Sequence, residues 1–103
     1  MPANRLKPVH PGDILLHDFM EPMKLSAYKV AKDIRVSAPT VNEIVRGKKS
    51  VTAEMAIRLS RYFGTSRELW LNLQTQYDLE LADAKIGAAV ARSVTPASDN
   101  AVA

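Results

Sequence analysis

Cysteine is absent from this chain, so no disulfide framework and no thiolate metal site can form, and nothing points to an oxidising compartment. No apolar run approaches the length needed to cross a membrane, and the opening MPANRLKPVHPGD has no apolar core for a signal peptide. A cytoplasmic location is expected. No strand-type alternation and no internal repeat appears, so the expected fold class is all-α. Convergent chemistry is missing as well. No serine stands in a strand-to-helix elbow, and His10, Asp13 and His17 are too sparse for a metal site although Asp13 and His17 share a helical face. These three read as surface and capping residues, and neither an enzyme nor a metal or cofactor protein is expected. At 103 residues the chain is one domain, able to bury a core but too small for an elaborate catalytic architecture.

What is present is unevenly distributed charge. The whole chain is only +3, yet Lys24 to Lys49 holds seven cations and two anions, a local +5, whereas Ser50 to Arg92 has five of each sign. A basic window of this kind is the footprint of a polyanion binder.

That window contains SAYKVAKDIRVSAPTVNEIVRG, from Ser26 to Gly47. Ser26 and Ser37 each precede apolar residues at helical spacing and can cap the free N–H groups, which predicts two short helices joined by a tight turn. Leu25 with Val30 and Val36 with Val41 form hydrophobic staples that set the entry angles. Val30, Ala31 and Ile34 face Val41, Ile44 and Val45, with small Ala31 at the closest crossing. Left outside on the second helix are Ala38, Pro39, Thr40, Asn42, Glu43 and Arg46, followed by Gly47, Lys48 and Lys49. A polar, mostly uncharged face ending in cations suits a DNA groove. The second helix also lacks an acidic residue in its first turn, so its positive end is free for an external anion. In the turn, Arg35 occupies a place that needs the left-handed conformation usually given to glycine, at a cost of about 1 kcal/mol. Phosphate contact and tolerated strain are both open explanations.

The remaining chain falls in order around this unit. Residues 1–11 read as an extended arm, because prolines interrupt any helix there. A first helix is expected from Gly12 or Asp13 to Met20, stopped by Pro22. Thr52 caps a helix Ala53 to Phe63 with Ala56, Leu59 and Phe63 inward, ended by Gly64. Ser66 caps a fifth, whose stripe Trp70, Leu73, Tyr77, Leu81, Ala84, Ala88 is longer than such a domain can cover. The structured domain is therefore set at residues 12–92, with a disordered tail at 93–103.

Two capped helices with Ala31 at the crossing, Val36-Ser37 in the turn and Gly47 at the end resemble the helix-turn-helix of the Xre and lambda-repressor family. The blocks HPGDIL, EPMKLS, VRGKKSVTAEMAIRLSRYFGTS and ELWLNLQTQYDL narrow this to a resemblance to the HigA/VapI antitoxins. The resemblance implies a five-helix lambda-repressor-like domain with an extended C-terminal helix. It further implies a homodimer that binds double-stranded operator DNA, represses its own operon and neutralises a HigB-type mRNA-cleaving toxin; a phage-type or restriction-control repressor without a toxin is the alternative. Carried over by position, the DNA-contacting residues would be Arg35, Ser37, Ala38, Pro39, Thr40, Asn42, Glu43, Arg46, Lys48 and Lys49. The dimer interface would hold Trp70, Leu73, Tyr77, Leu81 and Ala84. Ala27 departs from the glutamine common in the family at that position. Acids outside the DNA face, Asp13, Asp18, Glu21, Asp78, Glu80 and Asp83, are either docking charges for a basic toxin or ordinary solvated residues.

Overall fold

His10 opens the first helix. Its backbone is extended (φ −73°, ψ 142°) and its side chain accepts the Gly12 N–H, while Pro11 takes the first helical position, where a missing N–H costs nothing. In the computed structural model, which describes residues 7–100, helix α1 (Pro11–Ile14) runs without a break into a π-helical stretch (Leu15–Met20). The first six residues of the expected arm and the last three of the expected tail lie outside the described residues.

The next helices are α2 (Ala27–Ile34), α3 (Ala38–Val45), α4 (Ala53–Phe63) and α5 (Arg67–Ala82). Each begins at its predicted cap, where the hydroxyl of Ser26, Ser37, Thr52 or Ser66 accepts the amide three residues on at 3.0–3.3 Å. A second π-helical stretch (Asp83–Gly87) and α6 (Ala88–Ser93) prolong α5 into the extended C-terminal helix. Beyond it the structure has a short 3-10 turn (Ala97–Asn100), where no regular structure was expected. The fold is all-helical, with no strand among the described residues.

Four helix ends close alike. Lys24, Arg35, Gly47 and Gly64 lie in the left-handed region, at φ 57°, 66°, 75° and 75°. The amide after each reaches back five residues, Leu25 to Met20, Val36 to Ala31, Lys48 to Glu43 and Thr65 to Ser60, at 2.8–3.1 Å. This closure satisfies carbonyls that the helix would otherwise leave unpaired. The first helical run ends at Met20, just before Pro22 as the sequence leads one to expect, and Lys24 closes the turn that follows.

The core sits where α1 to α4 meet the start of α5. Val30, Ala31 and Ile34 of α2 and Val41 and Ile44 of α3 are buried as expected, and Val45 is half-buried. On α4, Met55 and Ser60 are buried beside Ala56 and Leu59, while Phe63 is half-buried and stacks on Phe19 at 5.1 Å between ring centroids. Trp70 is completely buried within the protomer, 5.2 Å from the Phe19 ring, and its Nε1 donates to Thr65 Oγ1 at 2.8 Å. Its place in a dimer interface is thereby withdrawn, because aromatic side chains of this one chain already cover it.

Candidate nucleic-acid interface

The outer surface of α3 is built by what lies beneath it. Val41 and Ile44 anchor the helix to the core, so Pro39, Asn42, Glu43 and Arg46 are left exposed, with Ala38 and Thr40 half-buried. Ser37 both caps the helix and meets Thr40 hydroxyl to hydroxyl at 2.7 Å, which fixes the Thr40 rotamer before any ligand arrives. No acidic residue occupies the first turn of α3. The exposed cations Arg46, Lys48 and Lys49 follow its C-terminal end, Lys49 in an ion pair with Glu43 at 3.5 Å.

Ser37, Pro39, Asn42, Glu43, Arg46, Lys48 and Lys49 are exposed. Arg35 is exposed as well and lines a groove between the end of α2 and α4, with Ile34, Ile57, Arg58 and Arg61. Across that groove Arg58 donates to the Ile34 carbonyl at 2.7 Å and holds Glu54 at 3.0 Å, and Tyr62 donates to Asp33. That bond, with Lys29 nearby, holds the Asp33 carboxyl below its ordinary range and pushes the Tyr62 hydroxyl up.

Residues not anticipated from the sequence secure α3 and the loop after it. Gly12 is pressed so closely on α3 that a Cβ there would lie 1.8 Å from the Ile44 carbonyl oxygen, which demands glycine at that position. Gln74, buried on α5, accepts the Val51 N–H at 2.7 Å and donates to Asp78 at 2.9 Å. A usable signal was present in its spacing, since Gln74 is four residues after Trp70 and shares its face. His10 is buried rather than on the surface, and burial pushes its proton affinity below the ordinary value. His17 remains exposed and pairs with Glu21 at 3.0 Å, which raises its pKa. The two histidines are thus engaged separately.

Residues 16–70 match the helix-turn-helix family designated HTH_3. Virulence-associated protein I of Dichelobacter nodosus is 48% identical over 78% of this chain and 74% of its own length. This chain belongs to the HigA-type branch of the Xre-like helix-turn-helix family. Antitoxin HigA-1 of Vibrio cholerae is 34% identical over 77% of this chain and 74% of its own. The structure of the Pseudomonas aeruginosa antitoxin HigA with the higBA promoter superposes with a TM-score of 0.85 at 44% identity, covering 87% of this chain and 98% of that one. The five-helix architecture expected from the resemblance is that of the family, which is not a class of enzymes. No helix among the described residues is long and apolar enough to cross a membrane.

Proposed function

We propose that this protein is a sequence-specific DNA-binding antitoxin that acts in the cytoplasm. As a homodimer it binds the operator of its own operon and represses it, and it neutralises a HigB-type mRNA-cleaving toxin. The observation that carries the DNA reading is the α3 surface. A helix locked into the core presents Pro39, Thr40, Asn42 and Glu43 outward, with Arg46 and Lys48 beside them and no acid in its first turn. Polar tips read base edges while flanking cations hold phosphate. The HigA relative solved with promoter DNA supports this. The homodimer is supported by exposed apolar residues on the C-terminal helix, Leu79 and Leu81 and, further on, Ile86 and Val90. Half-buried Leu73 and Tyr77 and exposed Ala84 continue that surface. Two α3 helices about 34 Å apart would then read a palindromic operator.

For the toxin, Asp13, Asp18, Glu21, Asp78 and Asp83 are exposed and none belongs to α3, which supports docking on a separate surface. The test compares two pairs of variants on DNA from upstream of the protein's own reading frame. Arg46→Ala and Lys48→Ala should weaken all sequences alike and each lower the salt slope by about one. Thr40→Ala and Asn42→Ala should instead cost about 1–3 kcal/mol of preference for the operator. Equal loss of preference from both pairs refutes this division. A triple variant at Thr40, Asn42 and Arg46 that fails to bind operator yet still protects cells from the toxin would support separate surfaces, and loss of both activities with the fold intact would refute them.

A further inference from the structure

We infer that His10 is a positioning residue for operator recognition, one imidazole that fixes both the C-terminal end of α3 and the loop carrying Lys48 and Lys49. Its consequence for binding rests on the DNA reading above; its geometry does not. The buried ring is held from three sides. Nδ1 accepts the Gly12 N–H at 2.8 Å, and the Lys49 backbone lies close enough to favour a proton on the ring. One face lies against Gly47, where an added Cβ would sit 3.7 Å from His10 Cγ. The ring also meets Tyr77 of α5 edge-on, at 4.8 Å and 75°. Directly beneath, Gly12 abuts the Ile44 carbonyl. His10 therefore ties the first turn of α1, the last turn of α3 and α5 together, while Gln74 holds the far end of the same loop through the Val51 N–H. Lys48 and Lys49 lie between these two attachments.

This arrangement requires a neutral ring. An imidazolium donates from both nitrogens and would turn an N–H toward the Gly12 N–H. Burial favours the neutral form, against the pull of Asp13 on its own helix and Asp78 on α5 and the Lys49 backbone in the loop. The Lys49 ammonium is turned to Glu43. Because the folded pKa is lowered, the stabilisation from the neutral ring is fully present above about 6.5, and the neutral ring with its bond to Gly12 is lost as pH falls through the folded pKa, which lies below that value.

The test uses His10→Asn and His10→Ala in the full chain. The asparagine oxygen can still cap Gly12 but cannot reach Lys49 or Tyr77, so His10→Asn separates helix capping from loop positioning. In the free protein, tryptic cleavage after Lys48 and Lys49 should become several-fold faster in His10→Asn, with the helical circular-dichroism signal retained. On DNA from upstream of the reading frame, affinity should fall about tenfold. The wild-type loss of affinity below pH 6.5 should flatten in His10→Asn and persist in a His17→Gln control, since His17 titrates independently. His10→Ala should show the same loop cleavage together with a lower melting temperature from the lost cap. Unchanged loop cleavage in His10→Asn, or unchanged operator affinity and pH profile, overturns the inference. If the wild-type protein binds no DNA at any salt, the operator reading fails, and the cleavage rates alone decide whether His10 holds the loop.

Discussion

The two parts of the C-terminal helix make an instructive pair. In the first two turns of α5, Trp70 is 0% and Gln74 6% exposed; further along the same helical run, Leu79 is 60% and Ile86 51% exposed. From Thr75 to Ser98 no residue is buried, although apolar residues continue. Both parts carry apolar side chains at helical spacing, so composition does not separate them; what differs is whether other elements of the same chain lie against them. An isolated helix of this length is marginal in water, and burying an apolar face is what stabilises it. The body therefore supplies its own core, while beyond Tyr77, which still meets His10, the apolar residues of the helix stay exposed. The overall extents of 58 × 29 × 24 Å reflect that projection.

The largest effect should come from breaking the first part. Trp70→Ala removes the ring packed on Phe19 and leaves Thr65 without its donor, at a cost of about 3–5 kcal/mol. Against a typical total of about 5–15 kcal/mol this removes a large fraction of the stability, seen as a marked fall of the urea midpoint. A loss below about 1 kcal/mol would show that the start of α5 is not part of the core. Changing the second part should do something different. Leu79→Asp with Ile86→Asp should leave the body's melting within about 0.5 kcal/mol of wild type, because both side chains are exposed. If the proposed dimer forms through this helix, the same double variant should run as a monomer by light scattering and bind the operator sharply more weakly, since two linked half-sites would be lost. A variant that stays dimeric would place the interface elsewhere.

The same contrast explains how much was legible in the sequence. Ser26, Ser37, Thr52 and Ser66 announce their helices because a cap acts on amides two or three residues away, and the left-handed Arg35 followed from the interval between two such caps. Long-range placement was not legible. Nothing local says that Phe19 and Phe63 will cover Trp70, that Arg35 will line a groove beside α4, or that His10 will be buried between Gly47 and Tyr77. The π-helical stretches escaped for a related reason, since apolar spacing over six residues does not distinguish them from a regular helix. Lys24 in the left-handed region was hidden by Pro22, which offers a simpler stop.

The smallest expected effect sharpens the comparison from within the body. Arg35 and Lys24 do with a side chain what Gly47 and Gly64 do without one, at φ 66° and 57° against 75° and 75°. A side chain in this region costs about 1–2 kcal/mol, but glycine gives back about 0.5–1 kcal/mol through its freer unfolded chain. Arg35→Gly should therefore stabilise by about 0.5 kcal/mol, raising the melting temperature by about 2–4 °C for a domain of this size. Lys24→Gly should act alike, because its closure through Leu25 and Met20 has the same geometry. Neither change touches the helix beyond Gln74, so oligomeric state should not move. Since Arg35 lies in the groove with Ile57, Arg58 and Arg61, operator affinity should also be unchanged in Arg35→Gly. A melting temperature equal to or below wild type would show that the left-handed arginine carries no net strain. A fall in operator affinity without a change in salt slope would mean that the turn sets the angle of α3, and a fall in the slope by about one would place Arg35 on the phosphate backbone.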